Sequence, residues 1–422
     1  MSIDSTITIE QASRSPWDVI IIGAGPAGSM AAIQLRKAGI RVLLADKSEH
    51  PRSKICGCCL NGEALKLLES IGFLETLGAL NAVPTSSLSL HAGGHFADLK
   101  LKAGMVISRS TLDSELVQRC IDDGVHYLSH TRILVGELNG TDLRTVQLER
   151  EGEVLTAAAK CVLVADGLNG HSLDALHLLP ARSSNSSRIG AGTQVINYPD
   201  DVFKPGVIYM TCGRGGYVGM AVLEDGSLDV AAAFDRAFVQ SFPNVGAAAN
   251  NLIAPTRLAS FNLEPLSWHG TPALTRKRSG FSAPRLFVIG DAASYAEPFT
   301  GEGIAWALLS AISVAPIVQS MLAHSIGEFD HRIWDRKHRE LIAGKQIFSM
   351  ALARFLRSPG LVELSTRILS LAPILAGPVI HAIGRDDSQF TDAHLHINRA
   401  YKEEGTQGVD AYVDSKILKV RG

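Results

Sequence analysis

Asp18-Val-Ile-Ile-Ile-Gly-Ala-Gly-Pro-Ala-Gly28 is the stretch that decides the fold. Four of its first five residues are β-branched, the composition of a strand buried on both faces of a parallel sheet. Gly23-x-Gly25-x-x-Gly28 follows without a spacer. Gly23 permits the tight turn, Gly25 lets a pyrophosphate approach the backbone, and Gly28 lets the next helix pack on the strand. That helix opens around Pro26 and Ala27, runs to Lys37 and stops at Gly39; its N-terminus offers free N–H groups and partial positive charge to the phosphates. Arg41-Val-Leu-Leu-Ala45 is a second buried strand. Asp46 ends it, 23 residues after Gly23 and just before Lys47, where a carboxylate can accept from both ribose hydroxyls. The unit predicts an α/β protein with a Rossmann-like dinucleotide site, and Asp46 disfavours a 2′-phosphate there.

A second, distant stretch narrows the dinucleotide: Leu286-Phe-Val-Ile-Gly-Asp-Ala-Ala-Ser-Tyr-Ala-Glu-Pro-Phe-Thr-Gly-Glu-Gly-Ile304. Gly290-Asp291 ends a strand, so the carboxylate can hold a ribityl hydroxyl. Pro298 and Thr300-Gly301-Glu302-Gly303-Ile304 form a loop opening a long helix, whose dipole would stabilise negative charge at the N1/C2=O edge of a reduced flavin. A nicotinamide-only dehydrogenase has no use for this second site, so FAD is the expected cofactor.

Between these motifs, Cys161-Val-Leu-Val-Ala165 precedes Asp166-Gly167, and Met105–Tyr127 carries a helix with Leu112, Leu116, Val117 and Cys120 on one face. Arg188–Phe261 alternates instead, in Gly206–Met210, Tyr217–Val222 and Leu228–Phe234, as antiparallel strands do. The expected organisation is a flexible tail over 1–16; a discontinuous FAD-binding domain from 17–85, 105–180 and 280–330; an inserted antiparallel-sheet substrate domain from 86–104 and 181–279; and C-terminal helices over 331–422.

Composition agrees with a large globular protein. Of 422 residues, 46% are hydrophobic and 19% charged, and a net charge of −2 leaves no electrostatic footprint for nucleic acid. Six cysteines in so long a chain are no disulfide framework, and three of them crowd at Cys56, Cys58 and Cys59. No companion Cys/His pair at zinc spacing accompanies them, so no metal is expected. Cys58 and Cys59 read as packing residues; Cys56 reads equally as packing or as a thiol lining the flavin pocket, with Arg52 and Lys54 nearby to lower its pKa. The N-terminus lacks the basic start and apolar run of a signal peptide. The longest weakly charged apolar stretch is read at Ile368–Ile383, short of the ~20 residues that span a bilayer. A cytoplasmic protein follows, with peripheral membrane contact left open.

The chain resembles the FAD-dependent group that includes geranylgeranyl reductases and p-hydroxybenzoate-hydroxylase-like monooxygenases. The residues that carry the resemblance are Gly23–Gly28, Asp46, Pro51-Arg-Ser-Lys-Ile-Cys-Gly57, Arg109-Ser-Thr-Leu-Asp113 with Leu116, Ala165-Asp-Gly167 and Gly290–Ile304. It implies a GR2-type FAD domain, with Arg109 near the FAD phosphates (a charge-pairing surface arginine is the alternative) and Asp166 serving FAD and an NAD(P)H donor. Arg52, Cys56, Gly57 and Tyr217 would then lie near the flavin. Two departures bear on the reaction. The reductase strand Tyr-x-Trp-x-Phe-Pro is replaced by Tyr217-Val-Gly-Met-Ala-Val222, and the halogenase Trp-x-Trp-x-Ile-Pro is absent, since Trp17, Trp268, Trp306 and Trp334 are isolated. The resemblance to bacterial flavoproteins of polyketide or lipid pathways implies a lipophilic or aromatic substrate. Expected first is hydroxylation by a monooxygenase using NAD(P)H and O2. Reduction of a carbon–carbon double bond comes second, and electron transfer to a quinone or protein partner third. The C-terminal helices Phe348–Arg357 and Leu361–Leu369 are expected chiefly to cap the FAD domain; walling a lipid-sized cavity or resting on a membrane is the alternative.

Overall fold

Trp17–Ile22 forms the centre of a parallel sheet in this computed structural model, which describes residues 2–54, 57–138, 140, 142–297, 299, 301–324, 329–378 and 380. It pairs on one side with Val42–Ala45 and on the other with Glu153–Val164; His126–Leu128 and Leu286–Val288 extend the sheet outward. The register sets Ile22 beside both Ala45 and Val164, so the carboxyl ends of the strands reach one edge together. In open α/β sheets ligands bind at that edge. The β-branched runs are wholly buried, as a sheet covered on both faces requires: Ile20, Ile21, Leu163 and Phe287 have no exposed surface. Pro26–Lys37 and Gly303–Leu322 pack on one another in this core.

Gly303–Leu322 corrects one reading of the sequence. This helix carries no charged residue over 20 positions and, with a mean hydropathy of 1.7, is long and apolar enough to cross a membrane; it exceeds the Ile368–Ile383 stretch. Its apolar surface is satisfied by protein, because 94% of its most apolar window is buried. A helix hydrophobic all round belongs to a core or a bilayer, and here the core takes it.

The second sheet has seven strands, in the order His269–Ala273, Ile189–Val195, Leu228–Phe234, Gly216–Val222, Val207–Gly213, Ser87–Ala92 and His95–Lys100. All neighbours are antiparallel except Val207–Gly213 with Ser87–Ala92. Alternation splits its residues between two faces. Leu228, Val230 and Phe234 enter a core with Val218, Met220 and Leu252, while Asp229, Ala231 and Ala233 face the other way.

Residues 2–16, expected as a loose tail, are packed. The Ile3 N–H donates to His50 O at 2.8 Å and the Thr6 N–H to Tyr127 O at 2.9 Å. A short helix, Ile9–Ser13, follows, with Thr8 and Gln11 closing a reciprocal capping box. Ile9 and Ala12 are buried, and the Trp17 indole N–H donates to Ala12 O at 2.8 Å. The apolar residues Ile3, Ile7, Ile9 and Ala12 supply the docking. Thr8→Ala is expected to cost about 1 kcal/mol, the usual value of an N-cap, in urea denaturation. An unchanged midpoint would mean that the segment contributes nothing.

The C-terminal region is helical as far as the described residues go, through Arg332–His338, Gly344–Phe355 and Pro359–Leu371. Pro359–Leu371 does not cap the FAD domain. It packs on the Ser87–Ala92 and His95–Lys100 hairpin, burying Val362 and Thr366 and leaving Leu361, Leu364, Ile368 and Leu371 exposed.

Candidate functional site

One cavity of about 930 Å³ is lined both by the carboxyl edge of the parallel sheet and by the inner face of the seven-stranded sheet. That is the upper end of the size range of small-molecule sites, about 300–1,000 Å³.

The glycine turn forms one end. Gly23 has φ +101°, and a Cβ there would stand 2.4 Å from Ala165 O. Gly25 caps Pro26–Lys37 and faces the cavity, its nearest side-chain neighbours being the tips of Arg109 at 3.8 Å and Arg52 at 3.9 Å from an added Cβ. An open backbone, a helix N-terminus and two guanidinium groups make an anion site there. Pro26 and Ala27 line it as well. Gly28 does not reach the cavity; its Cβ would stand 1.8 Å from Gly23 O, so its role is the close packing of helix on turn.

Beside the turn, buried Asp46 lines the cavity with Lys47. Its carboxylate accepts from the Ala24 N–H at 2.8 Å, the Ser48 N–H at 2.9 Å and the Arg52 guanidinium at 3.4 Å. Arg109 is buried, not a surface arginine. Its fork grips Asp113, four residues on, with bonds of 2.8 and 2.7 Å, and it reaches the cavity beside Gly57. Burial alone would raise the Asp113 pKa; the charge and hydrogen bonds of Arg109, helped by Lys54 and Arg52, outweigh it and hold the carboxyl below its usual range. Arg52 stands 3.7 Å from Asp113, tying both arginines to one buried carboxylate.

Lys54, part of the Pro51–Gly57 motif that carries the resemblance, lines the cavity. Burial, then the charge of Arg109, pushes its pKa down to about 8, against the pull of Asp291 and Asp113. Asp291 lines the same cavity, its pKa raised by burial. Asp166 is there too; one oxygen accepts from the Ser172 N–H at 3.0 Å and the other is buried with no partner among the described residues.

The second motif divides. Gly301, Gly303 and Ile304 line the cavity where Gly303–Leu322 begins, and an added Cβ on Gly301 would stand 3.5 Å from that of Cys59. Gly290 and Glu302 do not line the cavity. Gly290 packs against Ala27, 2.8 Å from an added Cβ, and its N–H donates to Ser310 Oγ at 2.9 Å. The Glu302 carboxylate turns into the protein and accepts from Ser349 at 3.3 Å. Both are buried, so helix packing rather than cofactor contact explains them. Cys56, Pro298 and Thr300 lie outside the described residues.

Tyr217 faces the cavity from the second sheet, edge-on to Phe299 at 5.0 Å between ring centroids. Fully buried Arg188 supports it from behind, 5.5 Å from the ring, and is itself paired with Glu297 at 2.8 Å and Asp235 at 3.3 Å. Sequence reasoning missed Asp229, the one carboxyl on the inner face of Leu228–Phe234. Alternation alone assigns it to a polar face; only the stacking of this sheet over the cofactor cavity makes that face a cavity wall. No group of three metal-ligating side chains occurs among the described residues.

These residues fit FAD. They pair an anion site at a helix N-terminus with a strand-end carboxylate for ribose and, across the cavity, a second helix N-terminus for the flavin ring. Residues 16–216 match the family described as FAD binding domain. The chain is 32% identical over 160 residues to a digeranylgeranylglycerophospholipid reductase of Methanopyrus kandleri, a match covering 36% of this chain and 40% of that one. It is 24% identical over 327 residues to the menaquinone reductase of Mycolicibacterium smegmatis, covering 72% and 76%. The structure of the flavin-dependent brominase Bmp2 superposes with a TM-score of 0.72 at 17% identity, covering 93% of this chain and all of that one, and establishes likeness of fold. The fold and site thus define an FAD-binding flavoprotein. Over residues 16–216 the chain carries an FAD-binding domain, and its sequence is similar to FAD-dependent reductases of prenyl lipids and quinones.

Proposed function

We propose that this oxidoreductase saturates a carbon–carbon double bond in a lipophilic, prenyl-type substrate, with NAD(P)H as electron donor. The observation that carries the reading is the substrate wall. Gly219, Ala221, Ala231 and Ala233 form a smooth apolar trough between Tyr217 and Asp229, flanked by Ile208 and Met210. Tyr217 and Asp229 pair with Ala233 and Ala221, so the trough spans four residues of strand, about 13 Å. Such a wall suits an extended hydrocarbon better than a phenol, which needs polar groups to fix its orientation. This reverses the order of the two reactions expected from sequence, where the missing Trp and Pro of the reductase strand favoured hydroxylation. The names of the two curated relatives agree with the reversal.

FAD, when bound, supplies the hydride. The chain's own residues do the rest: the N-terminus of Gly303–Leu322 would favour negative charge on a flavin held there, and Tyr217 and Phe299 close the apolar site against water. Exposed Leu361, Leu364, Ile368 and Leu371, with Ile374 and Leu375 beyond them, lead toward Ile380 at the cavity and support entry of the substrate from a lipid surface. Mass spectrometry tests the reaction. Holoenzyme given NADPH and a polyprenyl quinone should yield, with or without air, a product that stays two mass units heavier after the head group is reoxidised to the quinone; a gain that reoxidation removes would mean quinone reduction instead. A product sixteen units heavier, formed only in air, would establish the hydroxylase instead.

A further inference from the structure

On the trough formed by Gly216–Val222 and Leu228–Phe234, Asp229 is the one carboxyl. Asp229 projects from Leu228–Phe234 into the cavity, opposite Ala221 on one neighbouring strand and Gln194 on the other. Ala231 and Ala233, which share its face, carry no polar atom beyond the backbone. A carboxyl on such a wall is costly to keep unless it has a task. Its partner comes from the other lobe: the Cys58 thiol donates to it, from the segment joining Gly57 to Cys59–Asn61. Cys58 is buried against Ala221, Val106 and Leu223, which fixes the contact. Next along the chain, Cys59 is the residue that Gly301 approaches at the opening of the Gly303–Leu322 helix. Through Cys58 and Cys59, Asp229 is therefore tied to the opening of the Gly303–Leu322 helix from the second-sheet side of the cavity.

We propose that Asp229, steadied by Cys58, is the acid that delivers the proton completing reduction of the substrate double bond. The role rests on the reductase reading above. The reaction needs one hydride and one proton. The hydride brings two electrons from the dihydroflavin to one alkene carbon, the π bond breaks, and its electron pair takes the Asp229 proton at the other carbon. The dihydroflavin is oxidised, two C–H bonds are made, and Asp229 is left as carboxylate, to be reprotonated from water after product leaves.

The surroundings suit an acid. Among the described residues no charged group acts on Asp229; burial raises its pKa from 3.8 to about 6, and the Cys58 hydrogen bond opposes that only in part. A positioned acid is most effective when its pKa lies near the working pH. Every other cavity carboxylate singled out here, Asp46, Asp166 and Asp291, belongs to the parallel-sheet side.

Asp229→Asn keeps the shape and removes the acid, and two measurements test it. The first needs no turnover: thermal stability of the variant and wild-type holoenzymes from pH 4 to 8. Because the folded pKa lies above the unfolded one, the carboxyl's contribution is fully present below about pH 4 and is lost as pH rises through about 6. Wild type should lose stability relative to Asp229→Asn across that window; a constant difference overturns the assignment. The second is a single turnover of dithionite-reduced holoenzyme with a polyprenyl quinone. With excess dithionite removed and the head group reoxidised before mass analysis, the variant should form the side-chain-saturated product, two mass units heavier than the quinone, about 10²-fold or more slowly, within the usual worth of a positioned acid, with Asp229→Glu recovering part of the rate. Formation at the wild-type rate overturns the proposal alone. A wild-type product sixteen units heavier overturns the reductase reading, and this role with it.

Discussion

Gly28→Ala is expected to abolish FAD retention and to destabilise the protein by at least the 1–3 kcal/mol typical of an overpacked core, at about the upper end of that range. An added Cβ would stand 1.8 Å from Gly23 O and 3.0 Å from Gly23 C. Those are backbone atoms, and they cannot rotate away. Gly23 cannot give ground either, since it sits at φ +101° with Ala165 O behind it. The Pro26–Lys37 helix must therefore lift from the strand, which opens the core at Ile20 and Ile33 and turns the N-terminal N–H groups off the phosphates. Gly25→Ala is the control. An added Cβ there meets only side-chain tips at 3.8 to 4.0 Å, so the fold should survive while the close approach of pyrophosphate is blocked. Urea denaturation separates the two variants, and the ratio of flavin to protein absorbance reads the cofactor. A yellow Gly28→Ala protein of wild-type stability would remove the packing argument.

The parts of the site that were legible in sequence are those in which local chain geometry does the chemical work. Val19–Ile22, Gly23–Gly28 and Asp46 lie within one βαβ unit, so spacing along the chain is also spacing in space. Asp291, Gly301 and Gly303 were legible for the same reason. Gly290 and Glu302 sit in that same motif, but their side of the backbone was not readable: Gly290 leaves room for Ala27, and Glu302 turns toward Ser349 on a helix more than forty residues away. Asp229 was missed, and Lys54 was named without its ionic partners, because their importance is tertiary. Asp229 is one polar residue in an alternating strand until Cys58 meets it from the other lobe. Lys54 is one cation in a basic loop until Arg109, Asp113 and Asp291 surround it. The packed N-terminus was missed for a related reason, since its partners His50 and Tyr127 belong to distant parts of the chain.

Arg109→Met is expected to destabilise the folded protein by about 3–5 kcal/mol, the range for a buried pair that loses one partner. Asp113 has no exposed surface, and both its oxygens are bound by the Arg109 fork. Arg52 at 3.7 Å and Lys54 remain, and their charge moves the loss toward the lower figure. The pH dependence identifies the cause. In wild type the Asp113 pKa is depressed, so its contribution is present above the unfolded value near 3.8 and is lost as pH falls through the lower folded value. With Arg109 gone, burial becomes the larger influence and raises the folded pKa above the unfolded one. The sign then inverts: the variant should be closest to wild type near pH 4 and should weaken as pH rises toward 7. Asp113→Asn added to Arg109→Met removes the stranded charge and should restore part of the stability at pH 7 with little effect near pH 4, a coupling that a double-mutant cycle reads directly. A loss from Arg109→Met that is equal at all pH values would assign the cost to lost packing of the arginine stem, and the ion pair would then not be what anchors this corner of the FAD cavity.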